Sequence, residues 1–477
     1  MQPLSACKTV LAAVFVALIA SACSSGGSGG DPVVNQPTSD NEPLVLDDDS
    51  PADDGPSNAP VGTQGYQRDA AVEACSVEDL NAWVDFDMRD YYIYYDQVPQ
   101  LNLADYTDPA ELVRDLRVAP DVFSFLTDAE EQDNLFSQGI TGGYGFNAAF
   151  DAFDVYRFRQ IRDGSPMQQA GINRGDRWLA IEGVPFDDQM TSALFNELLF
   201  SEGAEPFFTV QTDGEAARTV QVIAEEYSWN TSPYASIFTM ADGHRIGYMP
   251  VEAFYQPTEG EMDSNIEWLI GEGIDDFILD LRQNRGGSVR VSERLASQIA
   301  GSALVGEPFQ IRRRNDKYSE LDYTSFITEE SPSLGLPRIA ILTSERSASA
   351  SETVINGLQP YLDVTVIGSL TSGKPFTSRP IEYCERNLNA MHSLRTNSVG
   401  VSILGGIQPD CSVPDEWSYP TNDSRDALTS AALTFLNEGV CNTQVAASLQ
   451  PRSKNVNRSF GAEPSDSLTD RPISIED

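Results

Sequence analysis

Hydrophobic and polar positions alternate in blocks from about residue 229 to residue 441, in an order that predicts strands separated by helices. Apolar runs of strand length occupy 245–249, 277–281, 338–343 and 364–367, and helical spacing occupies 262–270, the stretch from Gly287 to about Ala300 and the residues after Ser349. Strands that alternate with helices in this way are typical of an α/β fold. We therefore predict an α/β core over residues 227–445.

Apolar-periodic stretches also fill residues 71–137 and predict a helical N-terminal region. This region includes a tyrosine-rich run at 91–95. Aromatic side chains in such runs belong to a core or an interface far more often than to a ligand site. We assign the run a structural role.

Both ends of the chain are polar. Residues 23–70 are rich in Gly, Ser, Pro and Asp, and residues 446–477 are also polar. Segments with so little apolar surface to bury are predicted to be disordered. The first would act as an acidic linker and the second as a tail.

Residues 1–22 have the pattern of a secretion signal, because Lys8 precedes an apolar run that is short for a membrane span. The run closes with Ala20-Ser21-Ala22-Cys23, which resembles a bacterial lipobox and implies lipidation of Cys23. The alternative is an ordinary signal cleaved before an incidental cysteine. We favour the lipoprotein, because a Gly/Ser tether follows at once. It would be a periplasm-facing protein of the cell envelope, and Ser24 favours the outer membrane.

The formal net charge is −41, and the chain contains only four lysines. Such acidity argues against nucleic-acid binding, which needs clustered Lys and Arg. It predicts instead a solvated acidic surface. The length of 477 residues is enough for two or three domains.

Apart from Cys7 in the signal and Cys23, four cysteines remain: Cys75, Cys384, Cys411 and Cys441. In an oxidising compartment they can form two disulfides, with three connectivities open. We expect Cys384 to pair with Cys411, and Cys75 with Cys441, which would tie the helical start to the helical end. No cysteine or histidine spacing indicates a metal site, and no cofactor is expected.

Small hydroxyl residues, Ser347, Ser349 and Ser351, follow the predicted strand 338–343 at the start of a helix, and Lys374 lies downstream. A serine hydroxyl needs an adjacent base to become a nucleophile, and lysine can be that base if burial lowers its pKa. The helix N-terminus would favour a developing oxyanion. The only histidines, His244 and His392, are interpreted as surface residues, so a Ser/His/Asp triad is poorly supported.

The sequence SASASE at 347–352, followed by Gly373-Lys374, resembles the active-site signature of the carboxy-terminal processing peptidases, or tail-specific proteases. The resemblance implies a crotonase-like, ClpP-like core, a Ser349 nucleophile and a Lys374 general base. Residues 280–287, DLRQNRGG, resemble a second element of that family, which implies an oxyanion hole made by Gly286 and Ala350. The choice between Gly286 and Gly287 stays open.

One position departs from the family pattern. Many members carry a glutamine four residues after the lysine, and here that position is Ser378. Either Ser378 or Thr377 is expected to orient the lysine in its place.

Residues 138–226 resemble a PDZ domain. Gly143-Tyr144-Gly145-Phe146 resembles its carboxylate-binding loop, and 164–172 with 174–183 resemble its helix-turn-strand half. A glycine-rich loop can cradle a terminal carboxylate with successive N–H groups while the peptide adds as a strand. The resemblance implies capture of a polypeptide tail.

Together these features predict an envelope serine endopeptidase that cleaves unstructured or C-terminal protein tails through an acyl-enzyme. Its partners would be polypeptides and, through the lipid anchor, the membrane, with no nucleic acid. A catalytically inactive PDZ scaffold is the alternative, since the missing glutamine permits it. A hydrolase of non-peptide esters fits the serine chemistry but not the PDZ resemblance.

Overall fold

The computed structural model describes residues 65–151, 153–187, 190–201, 203–441 and 473–475. The predicted signal 1–22, the lipidation site Cys23 and the linker as far as residue 64 lie outside the described residues. Among the residues that are described, no helix has the length and apolar character needed to cross a bilayer.

The N-terminal region packs as a cap on the core of the chain. Its elements are α1 (Val77–Asp90), α2 (Pro109–Leu116), β1 (Phe125–Asp128) and α3 (Ala129–Gln138). The helical prediction therefore holds for most of the region, but the tyrosine-rich run follows the end of α1 and is not part of it. Trp83 and Leu112 share one hydrophobic cluster with Phe376 and Met391 from far along the chain. The cap is thus fixed to the strand that follows Lys374.

The next unit is built around an antiparallel sheet. Its elements are β2 (Ile140–Gly143), β3 (Phe146–Phe150), β4 (Tyr156–Ile161), α4 (Pro166–Gln169), β5 (Arg177–Ile181), β6 (Val184–Pro185), α5 (Ser192–Phe200), β7 (Phe207–Gln211), β8 (Arg218–Gln221) and β9 (Glu225–Ser228). The sheet order is β3-β4-β5-β7-β8, with β6 on β5. Phe146, Phe158, Trp178 and Phe208 fill its core. The segments that enter and leave the unit pair with each other as β2 and β9.

The remainder forms two six-stranded sheets with their helices, and two of its strands, Ile381–Tyr383 and Arg386–Asn389, form a third, small sheet with β1 of the cap. The elements are β10 (Ser236–Thr239), β11 (Arg245–Pro250), α6 (Thr258–Glu272), β12 (Asp276–Asp280), β13 (Gly286–Ser288), α7 (Val289–Ala300), β14 (Pro308–Arg314), β15 (Tyr323–Phe326), β16 (Arg338–Thr343), α8 (Ala350–Leu358), β17 (Asp363–Gly368), β18 (Phe376–Ser378), β19 (Ile381–Tyr383), β20 (Arg386–Asn389), β21 (Met391–Asn397), β22 (Cys411–Ser412), α9 (Ala427–Glu438) and β23 (Ile473–Ile475).

The first of these sheets has the order β10-β11-β12-β16-β17-β22 and is parallel from β11 to β22. Helices α6, α7 and α8 pack on one face of it. Helix α9 packs on the other face. This arrangement confirms the predicted α/β core. Its parallel strands bring their carboxyl ends to one edge, where α/β sheets place their chemistry.

The second sheet has the order β13-β23-β18-β21-β14-β15. Along the chain β13 follows β12 and β18 follows β17, so two of its strands come after strands of the first sheet. Strand β23 belongs to the C-terminal segment that was predicted to be disordered. For residues 473–475 this prediction does not hold, since they pair with both β13 and β18.

The four cysteines form two disulfides, but the predicted pairing is wrong. Cys75 pairs with Cys384, and Cys411 pairs with Cys441. The first pairing follows from the third, small sheet, in which β1 of the cap adds to β20 directly after Cys384. The second follows because α9, which ends just before Cys441, packs on the sheet that β22 extends.

Candidate active site

Ser349 lies where the sequence placed it, after β16 and directly before α8. It is fully buried, and its backbone has φ 60° and ψ −110°. A non-glycine residue at such angles costs roughly 1–3 kcal/mol, and such residues concentrate at functional sites. The packing that forces this conformation also fixes the position of the hydroxyl.

The other two serines of the motif use their hydroxyls for structure. Ser347 Oγ donates to the carbonyl of Leu281 at 2.8 Å, and Ser351 Oγ donates to the carbonyl of Asn284 at 3.0 Å. Ser349 Oγ instead accepts a long hydrogen bond of 3.4 Å from the Arg395 guanidinium. Of the three, Ser349 is therefore the hydroxyl that is left for chemistry.

Glu352 holds the serine and the lysine segments together. Its Oε2 accepts the main-chain N–H of Ser349 at 2.7 Å and that of Lys374 at 3.0 Å. Its Oε1 accepts the N–H of Gly373 at 2.7 Å and the hydroxyl of Thr371 at 2.5 Å. Burial raises the pKa of Glu352, and these hydrogen bonds oppose the rise. One carboxylate thus accepts hydrogen bonds from four buried donors that would otherwise need water as their acceptor.

Lys374 is fully buried. Burial, and next the positive charge of Arg395, lower its pKa to about 7, against the opposing pull of Asp121. Its Nζ lies 5.6 Å from the centre of the Phe123 ring. The lysine can therefore be neutral near physiological pH. In the part of the chain that the structure describes, Lys374 Nζ and Ser349 Oγ are not hydrogen-bonded to each other.

The two residues proposed to orient the lysine are both fully buried on β18. The Thr377 hydroxyl makes no hydrogen bond within the described part of the chain, so it does not hold the lysine in this structure. Orientation by Ser378 stays a prediction.

The two predicted oxyanion donors differ in the hydrogen bonding of their N–H groups. The N–H of Ala350 is at the first position of α8, where helical N–H groups have no intrahelical acceptor. The N–H of Gly286 donates to Asn284 Oδ1 at 2.8 Å in this structure, and its role as an oxyanion donor stays a prediction.

Gly287 is the other glycine that the sequence left open as the second donor. The carbonyl of Gly286 and the N–H of Ser288 both bond to Phe254. Since successive residues of a strand direct their main-chain groups to opposite sides, the N–H of Gly287 faces away from Phe254. Only glycine fits here: φ is +137°, and an added Cβ would lie 2.1 Å from the Phe254 carbonyl oxygen.

Sequence reasoning missed the surroundings of the lysine. Arg395 on β21 contacts Ser349 and Thr353, and Phe123 and Asp121 come from the cap. No motif marks these positions. Glu352 was inside the recognised motif, and its spacing of three from Ser349 is the capping-box signal that could have revealed its role.

The histidines were interpreted as surface residues, which is wrong for His392. It is buried on β21, and burial lowers its pKa to about 3. His244 is partly exposed and pairs with Asp276 at the start of β12, at the opposite end of the strand from the site.

The glycine-rich loop 143–146 opens on a cleft of about 800 Å³. Gly143 and Tyr144 line it together with Leu199 and Phe200 of α5. Phe146 lies in the hydrophobic core of the unit instead. Three glutamates also line this cleft, Glu131, Glu205 and Glu226.

Comparison with protein families gives two matches. Residues 245–413 match the model of Peptidase family S41, and residues 79–125 match the model of the Peptidase S41 N-terminal domain.

Curated relatives agree with these matches. A protein of Staphylococcus aureus (strain COL), named as a CtpA-like serine protease, is 25% identical over 60% of this chain and 55% of its own length. A carboxyl-terminal-processing protease of Picosynechococcus sp. is 24% identical over 44% of this chain and 49% of its own length. The chain thus spans about half the length of the curated relatives it matches.

Among solved structures, one assigned to the S41 proteases, from Bacteroides fragilis NCTC 9343, is similar in fold. Its TM-score is 0.62 at 21% identity, over 75% of this chain and 97% of that one.

Proposed function

We propose that the chain, which matches the models of Peptidase family S41 and of its N-terminal domain, is a serine endopeptidase in which Ser349 and Lys374 form the catalytic dyad. The observation that carries the proposal is that one carboxylate, Glu352, holds the main chain of both residues, while burial lowers the pKa of the lysine to about 7. A lysine of that pKa can act as a base at neutral pH.

The reaction begins when neutral Lys374 takes the proton of Ser349 Oγ, which attacks the scissile carbonyl carbon. The N–H groups of Ala350 and Gly287 stabilise the negative charge on the carbonyl oxygen. When the tetrahedral intermediate collapses, the protonated lysine gives its proton to the leaving amine and an acyl-enzyme remains. Lysine then deprotonates water, which attacks the ester and restores the serine.

Residues 138–226 are proposed to be a PDZ domain that captures the polypeptide before cleavage. Support comes from the cleft beside Gly143 and Tyr144, where an extended peptide fits between the loop and α5. The glutamates of the cleft favour peptides with basic residues over acidic ones.

The location is proposed from the sequence and one structural feature. A lipobox-like sequence ends at Cys23, and the described part of the chain contains two disulfides, as is typical of oxidising compartments. We place the protein in the cell envelope, lipid-anchored at the outer membrane and facing the periplasm.

The test is digestion of casein by the purified protein and by two variants, Ser349→Ala and Lys374→Ala, with the peptides identified by mass spectrometry. Cleavage by the parent alone is expected. Ser351→Ala is the matched control, because it removes a neighbouring hydroxyl that serves structure, and it should keep most of the activity. Equal cleavage by both dyad variants would show that the assigned site is wrong, and no cleavage by the parent would favour an inactive peptide-binding scaffold.

A further inference from the structure

We propose that the chain's own C-terminal segment, residues 473–475, binds as a strand in the groove between β13 and β18 and competes there with polypeptide substrates. The inference rests on the proposed function, since it treats this groove as the place where the scissile peptide lies.

The first argument is the position of β23. Strand β13 contains the oxyanion glycine, and β18 begins two residues after Lys374. Strand β23 lies between them, parallel to both, with Gly286 opposite Ile473, Ser288 opposite Ile475, and Ile475 opposite Ser378. A polypeptide that adds as a strand at this place joins the two parts of the active site.

The second argument is that the N–H of Gly287, the proposed oxyanion donor, faces β23. Because Gly286 and Ser288 direct their groups to Phe254, the N–H and carbonyl of Gly287 face β23. In a parallel ladder a residue donates to the carbonyl before its partner, and the partner of Gly287 is Ser474. The Ile473 carbonyl therefore occupies the position where the N–H of Gly287 would receive a substrate carbonyl.

The third argument is the state of the catalytic groups. The Ser349 and Lys374 side chains, which the structure describes, are not hydrogen-bonded to each other. The groove is thus filled while the dyad is at rest. Catalytic hydrogen bonds commonly form only once substrate is bound.

The segment can reach the groove from its own chain. Thirty-one residues lie between Cys441 and Ile473, and a chain of that length reaches at most roughly 100 Å when fully extended.

Truncation after Pro472 tests the proposal in the otherwise complete protein. An intramolecular ligand is present at an effective concentration near the millimolar range, so its removal should lower KM for casein peptides by roughly two- to tenfold with little change in kcat. Ile475→Pro, which removes the N–H that faces Gly287, should do the same. Ser467→Pro places proline outside the strand and should leave KM unchanged.

A binding measurement that needs no catalysis separates this proposal from the proposed function. The labelled peptide RPISIED is added to the Ser349→Ala variant, with and without residues 473–477, and its fluorescence anisotropy is followed. Binding to the truncated protein, and at least several-fold weaker binding to the full chain, are expected. If the parent protein does not cleave casein, the proposed function fails. The peptide-binding comparison between the truncated and the full-length protein still shows whether residues 473–475 occupy the groove.

Two results would overturn the proposal. One is an unchanged KM after truncation together with no binding of the peptide. The other is loss of the C-terminal residues by the parent but not by Ser349→Ala, seen in the intact mass, because the segment would then be a substrate and not a standing competitor.

Discussion

Ser349 and Lys374 are twenty-five residues apart in the sequence, yet their main-chain N–H groups donate to the same oxygen, Glu352 Oε2. The proposed dyad is therefore positioned through the main chain, and the pKa of the lysine side chain is set by other groups. For Lys374 the tuning is electrostatic, because it is buried beside the like charge of Arg395. Both effects disfavour the ammonium form.

This electrostatic effect predicts the pH dependence of the reaction. Below a pH of about 7, Lys374 is protonated and cannot accept the serine proton, so kcat/KM should rise with pH, reach half its maximum near pH 7 and stay level above it. The measurement is a pH profile of kcat/KM on a fluorogenic peptide. Lys374→Arg should abolish the activity, since arginine stays protonated.

Arg395 supplies the control for that profile. Arg395→Gln removes the like charge and should move the midpoint to higher pH, whereas Arg395→Lys keeps the charge and should leave it nearly in place. A midpoint that is the same in all three proteins would contradict an electrostatic role for Arg395.

At the scale of elements, the site consists of the starts of α8, β13 and β18. Helix α8 supplies the Ala350 N–H and the positive end of its dipole, and its first turn carries Glu352. The carboxylate reaches from this turn to the loop that ends in Lys374, so it joins α8 to that loop.

Glu352→Gln should therefore lower kcat more than it changes KM. A glutamine has one carbonyl oxygen for four donors, and its NH₂ group would face main-chain N–H groups. Leaving buried donors without an acceptor costs about 1–3 kcal/mol, which corresponds to a roughly 10- to 100-fold loss in rate. Steady-state kinetics with a peptide substrate give the two constants.

Glu345→Gln is the matched control, because Glu345 lies in the loop just before α8 and its side chain is exposed. It should behave like the parent. Equal kinetics for Glu352→Gln and the parent would contradict the positioning role of Glu352.

At the scale of the whole molecule, the cap is part of the active site. Phe123 and Asp121 of the cap face the lysine, and Ser124 of the cap accepts the main-chain N–H of Met391 on β21. The Cys75–Cys384 disulfide joins the start of the cap to the turn between β19 and β20. Covalent attachment of the cap thus supports the environment of Lys374.

Removal of that disulfide should affect both stability and the lysine. The double variant Cys75→Ser/Cys384→Ser should lose roughly 2–5 kcal/mol of unfolding free energy. Its activity midpoint should also shift to higher pH, because a looser cap admits water to Lys374 and weakens desolvation. Thermal unfolding and the pH profile are the measurements.

Cys411→Ser/Cys441→Ser is the control, because that disulfide ties α9 to β22 away from the cap. It should lower stability without moving the midpoint. If the two double variants shift the midpoint equally, the cap has no specific role.

The hydrophobic pattern of neighbouring residues was sufficient to predict the strands and helices around the site. The apolar run 338–343, the serines after it and the spacing to Lys374 are features of neighbouring residues, and the parallel core and the position of Ser349 follow from them. Burial of Lys374 could be expected only from the chemistry it would have to perform. The periodicity of the sequence could not predict that the cap buries Lys374.

The sequence by itself determined the α/β core and the resemblance to the tail-specific proteases, and it predicted the serine and the lysine, because these depend on short-range periodicity and on a compact motif. The tertiary structure alone decided the disulfide pairing, the influence of Arg395 and the place of β23. Each of these is a contact between residues far apart in the chain. Such contacts depend on which elements pack together, and a pattern of neighbouring residues does not contain that information.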